Sequence, residues 1–229
     1  MTTSTRHSQP TLSEWLGSSE ACIHTNISPM GDPLAPRHEN DGIWRCGFQN
    51  IHGTTKDHGF EVPPELDAVR SLGIDCQGMV ETNCPWTPGA KWKFEMMMER
   101  VFQQSKTIFS SGTAAYDKKY QPGGNLLTIN GDSTGRVSKS KGDKWGRFSY
   151  MELRGKRDEG VLVITAYRVC HEASDNPGPF TAYTHQYTEM TKAGINDPNP
   201  RKQILRDLTK LINEKRLEGY RWLLEGWGV

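Results

Sequence analysis

The sequence lacks an excess of charge of either sign. Its 229 residues include 28 Lys and Arg against 27 Asp and Glu, which gives a formal net charge of +1. A near-neutral chain excludes a strongly basic chromatin-type protein and a protein with a long acidic tail, because both depend on a large net charge. Any affinity for nucleic acid must therefore come from a local patch of basic residues.

The sequence also lacks long apolar runs. Hydrophobic residues make up 34% of the chain, and no stretch approaches the roughly 20 apolar residues of a membrane span. The first residues, MTTSTRHSQPTLSEWLG, contain no apolar core of a signal peptide. We therefore expect an intracellular protein, nuclear or cytoplasmic, with no membrane partner.

Cysteine is scarce and irregularly spaced. The five cysteines show no zinc-ligand spacing, so neither a disulfide framework nor a zinc finger is predicted. Cys46, Cys76 and Cys170 lie within or beside apolar runs, which favours reduced, buried thiols. The chain also lacks a GxxxxGK phosphate loop, a GxSxG nucleophile elbow and an HExxH zinc helix, and these absences exclude the enzyme classes that depend on them.

The composition divides the chain into two parts. Residues 1–40 are rich in Ser, Thr, Pro, His and Asn and show neither a helical nor a strand period, which predicts a disordered leader. From Gly42 the sequence changes to aromatic and β-branched residues of the kind that build a core. We therefore expect a folded domain over residues 41–229.

Strands and helices alternate within this domain, which predicts a layered α/β architecture. A strand at GIWRCGFQNI, a helix at PELDAVRSLG and a strand at GIDCQGMVET form a β-α-β unit. A helix over 90–104 follows, and then come strands at NLLTI, WGRFSYMELR and GVLVITAY, whose turn-rich separators predict an antiparallel ladder. Residues 171–199 are typical of a long surface loop. A helix capped by Asn199 and a last strand at YRWLL complete the domain.

Two polar residues stand at the carboxyl ends of the predicted parallel strands. Asn50 ends the first strand and Glu81 ends the second. Parallel neighbours have backbones about 4.8 Å apart, so both side chains are expected at one edge of the sheet, where open α/β sheets bind ligands. An amide and a carboxylate oxygen are hard ligands that suit Mg²⁺. The alternative is that both residues are ordinary capping or surface groups.

One tyrosine and two histidines also lie near the ends of predicted strands. Tyr167 closes the strand GVLVITAY, and its hydroxyl can donate to a phosphate oxygen; the alternative is a packing residue with its tip in water. His52 and His58 follow Asn50 but have no partner at metal-ligand spacing, which favours exposed loop histidines.

A basic stretch runs from Arg136 to Arg157, where eight Lys and Arg residues accompany two acids. Aromatic residues interleave with these charges, and such a pattern can follow a phosphate backbone. Solvated hairpin tips have a similar composition, so charge alone leaves both interpretations open. The candidate nucleic-acid-binding residues are Arg136, Lys139, Lys141, Lys144 and Arg147.

Several short motifs in this order resemble the endonuclease/exonuclease/phosphatase superfamily, which includes apurinic/apyrimidinic endonucleases, pancreatic deoxyribonucleases and the endonuclease domains of non-LTR retrotransposons. The matching segments are FQNIHG, MVETN, QPGGNLLTI, TGRV, GRFSYMELRG and ITAYRVC. The retroelement-associated branch is the most similar, judged by YQPGG, GDKWGR, TAYRVC and DPNPRKQILRDLTKLI together. The resemblance extends over residues 43–224.

The resemblance implies a four-layer α/β sandwich, with sheets flanked by helices, and a hydrolase that cleaves nucleic acid, DNA in particular, with Mg²⁺ or Mn²⁺. Asn50 and Glu81 would be its metal ligands, and Tyr167 would be a catalytic residue that contacts the scissile phosphate. The family's next motif, Gly-Asp-x-Asn, falls on LLEGWGV, where Trp227 replaces the Asp and Val229 replaces the Asn. Glu225 lies one position too early to substitute, and the later Ser-Asp-His motif is absent.

The sequence therefore predicts an incomplete sandwich, the amino-terminal portion of a metal-dependent phosphodiesterase domain, with little or no catalysis of its own. Its implied partners are nucleic acid and a missing carboxyl-terminal half or a downstream reverse transcriptase. The alternatives are a non-enzymatic nucleic-acid-binding remnant and a truncated gene product.

Overall fold

The computed structural model describes residues 44–53, 64–112, 120–155, 159–170 and 181–227. The predicted leader at 1–40 and His58 lie outside the described residues. Within the described ranges the chain forms two four-stranded sheets with helices on their outer faces.

The first sheet contains the predicted β-α-β unit. Its strand order is β1-β2-β4-β3. β1 and β2 are parallel, which confirms the prediction, and β4 is antiparallel to both β2 and β3. The short strand β3 was not predicted from the sequence. The strands span β1 (Cys46–Asn50), β2 (Cys76–Val80), β3 (Ser105–Ser110) and β4 (Asn125–Asn130).

Two helices cover the outer face of this sheet. Helix α1 spans Pro64–Ser71 and helix α2 spans Pro88–Phe102. Helix α2 begins two residues before its predicted start, because the Thr87 side chain caps it by accepting a hydrogen bond from the Ala90 amide at 3.3 Å. An aromatic group joins the helices to the sheet, with Trp86, Phe94 and Phe109 in contact at centroid distances of 4.5 to 5.7 Å.

The second sheet has the strand order β5-β6-β7-β8. Its first three strands are antiparallel, and β8 runs parallel to β7. The antiparallel pairing of WGRFSYMELR with GVLVITAY confirms part of the predicted ladder. The ladder is wrong for NLLTI, which is β4 of the first sheet; its place is taken by β5, which the ladder did not include. A hydrophobic core fills the space between the sheets, with Cys76, Leu127 and Ile129 facing Met151 and Val163. The strands span β5 (Val137–Gly142), β6 (Phe148–Arg154), β7 (Gly160–Tyr167) and β8 (Tyr220–Trp227).

Two more helices lie between β7 and β8 in the chain, α3 (Ala182–Lys192) and α4 (Pro200–Leu217). Asn199 caps α4 as predicted, since its Oδ1 accepts the Lys202 amide at 3.0 Å. The prediction of a surface loop over 171–199 is wrong where α3 stands. The buried face of α3 consists of His185, Gln186, Glu189 and Met190, so no apolar period revealed the helix.

The arrangement confirms the layered α/β class. Helices α1 and α2 pack on the first sheet, the two sheets pack on each other, and α4 contacts β8 of the second sheet. None of the described helices combines the length and apolarity that a membrane span needs.

Candidate metal and nucleic-acid site

The ends of three strands bring together Asn50, Glu81 and Tyr167. Asn50 is opposite Val80 in the parallel register of β1 and β2, so Glu81 follows directly beside it. Tyr167, the last residue of β7, packs against Val80 from the second sheet. Its hydroxyl donates a hydrogen bond to Glu81 Oε1. We call these three residues together with His52 the Glu81 site.

His52 joins Asn50 to Glu81. The His52 amide donates to Asn50 Oδ1 at 3.1 Å, and the His52 ring Nδ1 lies 2.8 Å from Glu81 Oε2. The histidine side chain is 82% exposed, as expected for a loop histidine, yet it contacts the site. Sequence reasoning missed this contact. The signal that identifies it is the Asx-type turn, in which an Asn side chain accepts from the amide two residues later.

The backbone that follows β1 and β2 has unusual dihedral angles. Glu81, Asn83 and His52 have φ of 53°, 49° and 47°, the left-handed region that non-glycine residues rarely occupy. Paired hydrogen bonds hold this conformation, because Asn83 donates its amide to the Gly123 carbonyl at 2.8 Å and accepts the Gly123 amide on Oδ1 at 2.9 Å. Left-handed non-glycine residues cluster at functional sites, which agrees with a site here.

The neighbouring QPGGN turn needs its glycines. Gly124 has φ of +79°, and a Cβ atom there would lie 2.8 Å from Thr82 Oγ1 and 3.1 Å from the Ser110 carbonyl. The turn can therefore approach the segment after β2 only with glycine at this position. This close approach fixes the backbone that carries Glu81.

Burial and charge keep the tyrosine protonated. Tyr167 is buried, and burial together with its hydrogen bond to the Glu81 carboxylate raises the pKa of Tyr167 well above its ordinary value. The phenol therefore keeps its hydrogen throughout the physiological range. It acts as a hydrogen-bond donor and not as a base.

The donor set fits a hard divalent cation. An ionised carboxylate offers about four lone-pair sites, and an amide oxygen offers two. Glu81 uses one contact on each oxygen, and Asn50 accepts one amide in the contacts described above. Acceptor capacity therefore remains on both side chains, and oxygen donors of this kind are those that Mg²⁺ prefers.

The position next to Tyr167 on β8 belongs to Trp227. The two residues are opposite each other in the parallel register. This is the place where the motif resemblance expects an Asp. Glu225 is two residues earlier on the strand and contacts Cys46 and Cys76 between the sheets, so it does not serve the Glu81 site.

Four of the five candidate basic residues are exposed along β5 and its ends. Lys139 and Lys141 lie on the strand, which is an outer strand of its sheet. Lys144 follows it, with Nζ 4.5 Å from the centroid of the Trp145 ring. Arg136 stands at the end of β5 away from Tyr167, where its Nε donates to the Arg154 carbonyl at 2.9 Å.

Arg147 is a correction to the predicted basic surface. It is 1% exposed and forms ion pairs with Asp143 at 2.8 Å and Asp207 at 2.6 Å. Its carbonyl accepts the Tyr167 amide at 2.8 Å. Charge counting could not separate this buried arginine from the exposed lysines, although an Asp four residues earlier was a signal of pairing. Arg147 therefore supports the backbone of the site and does not face solvent.

The cysteines also differ from the prediction of buried thiols. Cys76 and Cys84 are buried, whereas Cys46 and Cys170 are exposed. Within the described ranges β1 is the outer strand of its sheet, which leaves Cys46 open on one side.

No protein-family model and no curated protein matches the sequence. Several solved structures are similar to the chain. The AP endonuclease LMAP from Leishmania major has 14% sequence identity and a TM-score of 0.41, over 70% of this chain and 52% of that one. An AP endonuclease from Archaeoglobus fulgidus has 14% identity and a TM-score of 0.36, over 66% of this chain and 49% of that one.

An endonuclease/exonuclease/phosphatase family protein from Leptotrichia buccalis has 9% identity and a TM-score of 0.37, over 66% of this chain and 62% of that one. The chain thus spans between 49% and 62% of the length of these three structures.

Proposed function

We propose that the chain is the amino-terminal part of a phosphodiesterase-like domain that acts on nucleic acid, DNA in preference to RNA, with Mg²⁺ or Mn²⁺ as cofactor. The observation that carries this proposal is the meeting of Asn50, Glu81 and Tyr167 at one end of three strands. A retroelement origin, and a carboxyl-terminal half or a reverse transcriptase as partner, are supported by the sequence motifs alone.

Each side chain has a distinct task in this proposal. Asn50 and Glu81 hold the cation through their amide and carboxylate oxygens. The bound cation would supply charge neutralisation to a phosphodiester. The single Tyr167 hydroxyl hydrogen, which Glu81 accepts in this structure, would turn to a phosphate oxygen when the substrate binds, and the raised pKa of Tyr167 keeps that hydrogen in place. Because Tyr167 is buried and tied to the second sheet, it directs the phosphate to one position.

We expect hydrolysis by this chain to be slow. Trp227 stands beside Tyr167 where the resemblance expects a carboxylate, and an indole N–H can donate but cannot accept a proton. Positioned general-base assistance is typically worth about 10² to 10⁴-fold in rate. Binding of metal and phosphate is therefore expected to exceed turnover as the measurable property of the site.

The first experiment measures Mg²⁺-dependent cleavage of an abasic-site duplex and of supercoiled plasmid, together with Mn²⁺ binding. Glu81→Gln removes the charge of the proposed ligand at almost constant size, and the exposed Glu214→Gln is the matched control. We expect Glu81→Gln to weaken Mn²⁺ binding and any cleavage at least about tenfold. Equal behaviour of the two variants in both assays would overturn the proposal.

A second candidate function is nucleic-acid binding without cleavage. The observation that favours it is the exposed row of Lys139, Lys141 and Lys144 beside the Trp145 ring. Such charges neutralise phosphates and release counterions, with a log–log salt slope of about 0.9 per phosphate on duplex DNA.

The test replaces the three lysines together by glutamine and measures DNA affinity as a function of salt. We expect the salt slope to fall by about one for each lysine that contacts a phosphate. The control replaces Lys192, Lys202 and Lys210, which are exposed on α3 and α4. An equal loss in both triple variants would assign binding to net charge and remove the β5 surface from the proposal.

A further inference from the structure

A second cluster of titratable groups lies between the two sheets. Cys46 and Cys76 are the first residues of β1 and β2, so they stand at the opposite ends of those strands from the Glu81 site. They are also partners in the parallel register. Glu225 reaches them from β8 of the second sheet. One ligand atom from each of the three residues lies within 4.8 Å of the other two.

Glu225 is an unusual residue for the interior of a sandwich. It is 7% exposed, and among the described residues neither carboxylate oxygen has a hydrogen bond of normal geometry. The described groups that interact with it are the thiols of Cys46 and Cys76 and the backbone amide of Gly78. A buried carboxylate with such weak donors is costly, and a bound cation would compensate this cost.

A glycine provides the space for this carboxylate. A Cβ atom at Gly78 would lie 2.9 Å from Glu225 Oε2 and 2.5 Å from Thr165 Oγ1. Gly78 is two residues after Cys76 on β2, and residues two apart on a strand face the same side. Glycine at this position therefore lets the Glu225 carboxylate pack closely against β2, next to the cysteines.

We propose that Cys46, Cys76 and Glu225 bind one divalent ion of the Zn²⁺ class between the two sheets. Thiolates are soft ligands that select Zn²⁺ over Mg²⁺, and a carboxylate is a regular third ligand of zinc. Bonds of about 2.3 Å to sulfur and 2.0 to 2.2 Å to oxygen place the ligand atoms of a tetrahedral ion roughly 3.3 to 3.8 Å apart. Small side-chain adjustments bring the three atoms from within 4.8 Å to that spacing.

The exposure of Cys46 leaves room for a fourth ligand. Cys76 and Glu225 are buried, whereas Cys46 lies on an outer strand and is exposed. The ion therefore has an entry path and a coordination position open to water. Among the described strands, β1 and β8 are the outer strands of their sheets. The ion therefore links the two sheets at these outer strands. Binding to the folded state alone stabilises that state.

The test adds Co²⁺ and Zn²⁺ to the reduced full-length protein. We expect a thiolate-to-cobalt charge-transfer band that saturates at one Co²⁺ per chain in a large excess of Mg²⁺, which occupies the Glu81 site, and that is lost on addition of one equivalent of Zn²⁺. Zn²⁺ should also raise the thermal midpoint and slow the alkylation of Cys46. Cys46→Ser and Glu225→Gln should each weaken Zn²⁺ binding at least about tenfold.

The controls separate this site from the Glu81 site and from other thiols. Cys170→Ser removes an exposed thiol elsewhere, and Glu81→Gln removes the carboxylate of the other site; both should leave the cobalt band unchanged. Circular dichroism of each variant checks its fold, and because Cys46 is exposed its replacement by serine is expected to fold. Absence of the cobalt band in the reduced wild-type protein, or the same band in Cys46→Ser, would overturn the proposal.

Discussion

The two carboxylates at the centre of the Glu81 site and of the Cys46–Cys76–Glu225 cluster have opposite environments. Glu81 lies at the end of a strand, is 19% exposed, and has a partner on each oxygen, Tyr167 and His52. Glu225 lies between the sheets, is 7% exposed, and has no regular hydrogen bond among the described residues. The difference shows that the strand end satisfies the charge of Glu81 from a loop and solvent, whereas the packing of the two sheets gives Glu225 weaker partners.

Arg147 adds a third case, a buried charge with two partners. Its guanidinium is held by Asp143 and Asp207, and it lies 4.5 Å from the centroid of the Trp145 ring. A buried ion pair of this kind contributes little net stability when intact, because the gain in attraction is offset by desolvation. Removing one member of the pair lowers stability much more, since it leaves a buried charge without its opposite charge.

The largest expected effect is therefore the loss of Arg147. Arg147→Met keeps an apolar stem but leaves Asp143 and Asp207 without their cationic partner, although Gln203 still donates to Asp207 at 2.9 Å. We expect the free energy of unfolding to fall by about 3 kcal/mol, at the lower end of values for broken buried pairs, because the Trp145 amide still donates to Asp143 at 3.2 Å. Urea unfolding measures the change. Arg136→Met, at an exposed arginine, should stay within about 0.5 kcal/mol; equal losses would contradict the assignment.

The second expected effect concerns the pH dependence of the metal-free protein. Burial raises the pKa of Glu225 from 4.5 to about 9, against the lowering effects of Cys76 and the Gly78 amide. The folded state therefore holds this proton more tightly than the unfolded chain. Its contribution to stability is complete below about pH 4.5 and is lost as pH rises towards 9, with a slope of about 1.4 kcal/mol per pH unit.

Glu225→Gln removes the titrating proton and should flatten this part of the profile. The measurement is urea unfolding at several pH values in the presence of a chelator, with Glu81→Gln as the control. The same downward slope in Glu225→Gln as in the wild type would mean that other groups cause it. The thiols of Cys46 and Cys76 face the same carboxyl, so Cys46→Ser is included to separate their contribution.

The proximity of Asn50 and Glu81 could be predicted from the sequence because it depends on local order. A strand, a helix and a second strand imply parallel neighbours, and parallel neighbours place Asn50 and Glu81 at one edge. Tyr167 also ends a strand, but that strand belongs to the second sheet, and the sequence does not specify how the two sheets pack on each other. The sequence could not reveal His52 as a partner of Glu81, because that contact depends on the left-handed turn after β1.

The cysteine cluster was hidden from the sequence for a different reason. The parallel register pairs Cys46 with Cys76, but the spacing of these two cysteines along the chain is not one that is typical of metal ligands. Glu225 joins them only through the packing of one sheet on the other, and the sequence does not specify which residues meet across a sandwich. Helix α3 was missed in a similar way, since its buried face is mostly polar.

The smallest expected effect compares two hydroxyl groups on β7, two residues apart. Tyr167 donates to Glu81, whereas Thr165 Oγ1 is fully buried, has no hydrogen-bond partner among the described residues and lies near the Glu225 carboxylate. Tyr167→Phe should lower the free energy of unfolding by about 1 kcal/mol, because it removes a hydrogen bond to a charged acceptor that water can partly replace. Thr165→Val keeps the shape and removes an unsatisfied polar atom.

We expect Thr165→Val to be neutral or to stabilise the protein by up to about 1 kcal/mol, the opposite sign to Tyr167→Phe. Urea unfolding of both variants in the metal-free protein decides the comparison. The two signs differ because removing the hydroxyl group breaks a hydrogen bond at Tyr167, whereas at Thr165 it removes a buried polar atom that has no hydrogen bond in the described structure. A loss in Thr165→Val as large as that in Tyr167→Phe would mean that the Thr165 hydroxyl has a partner in solution, and the contrast between the two regions would not hold.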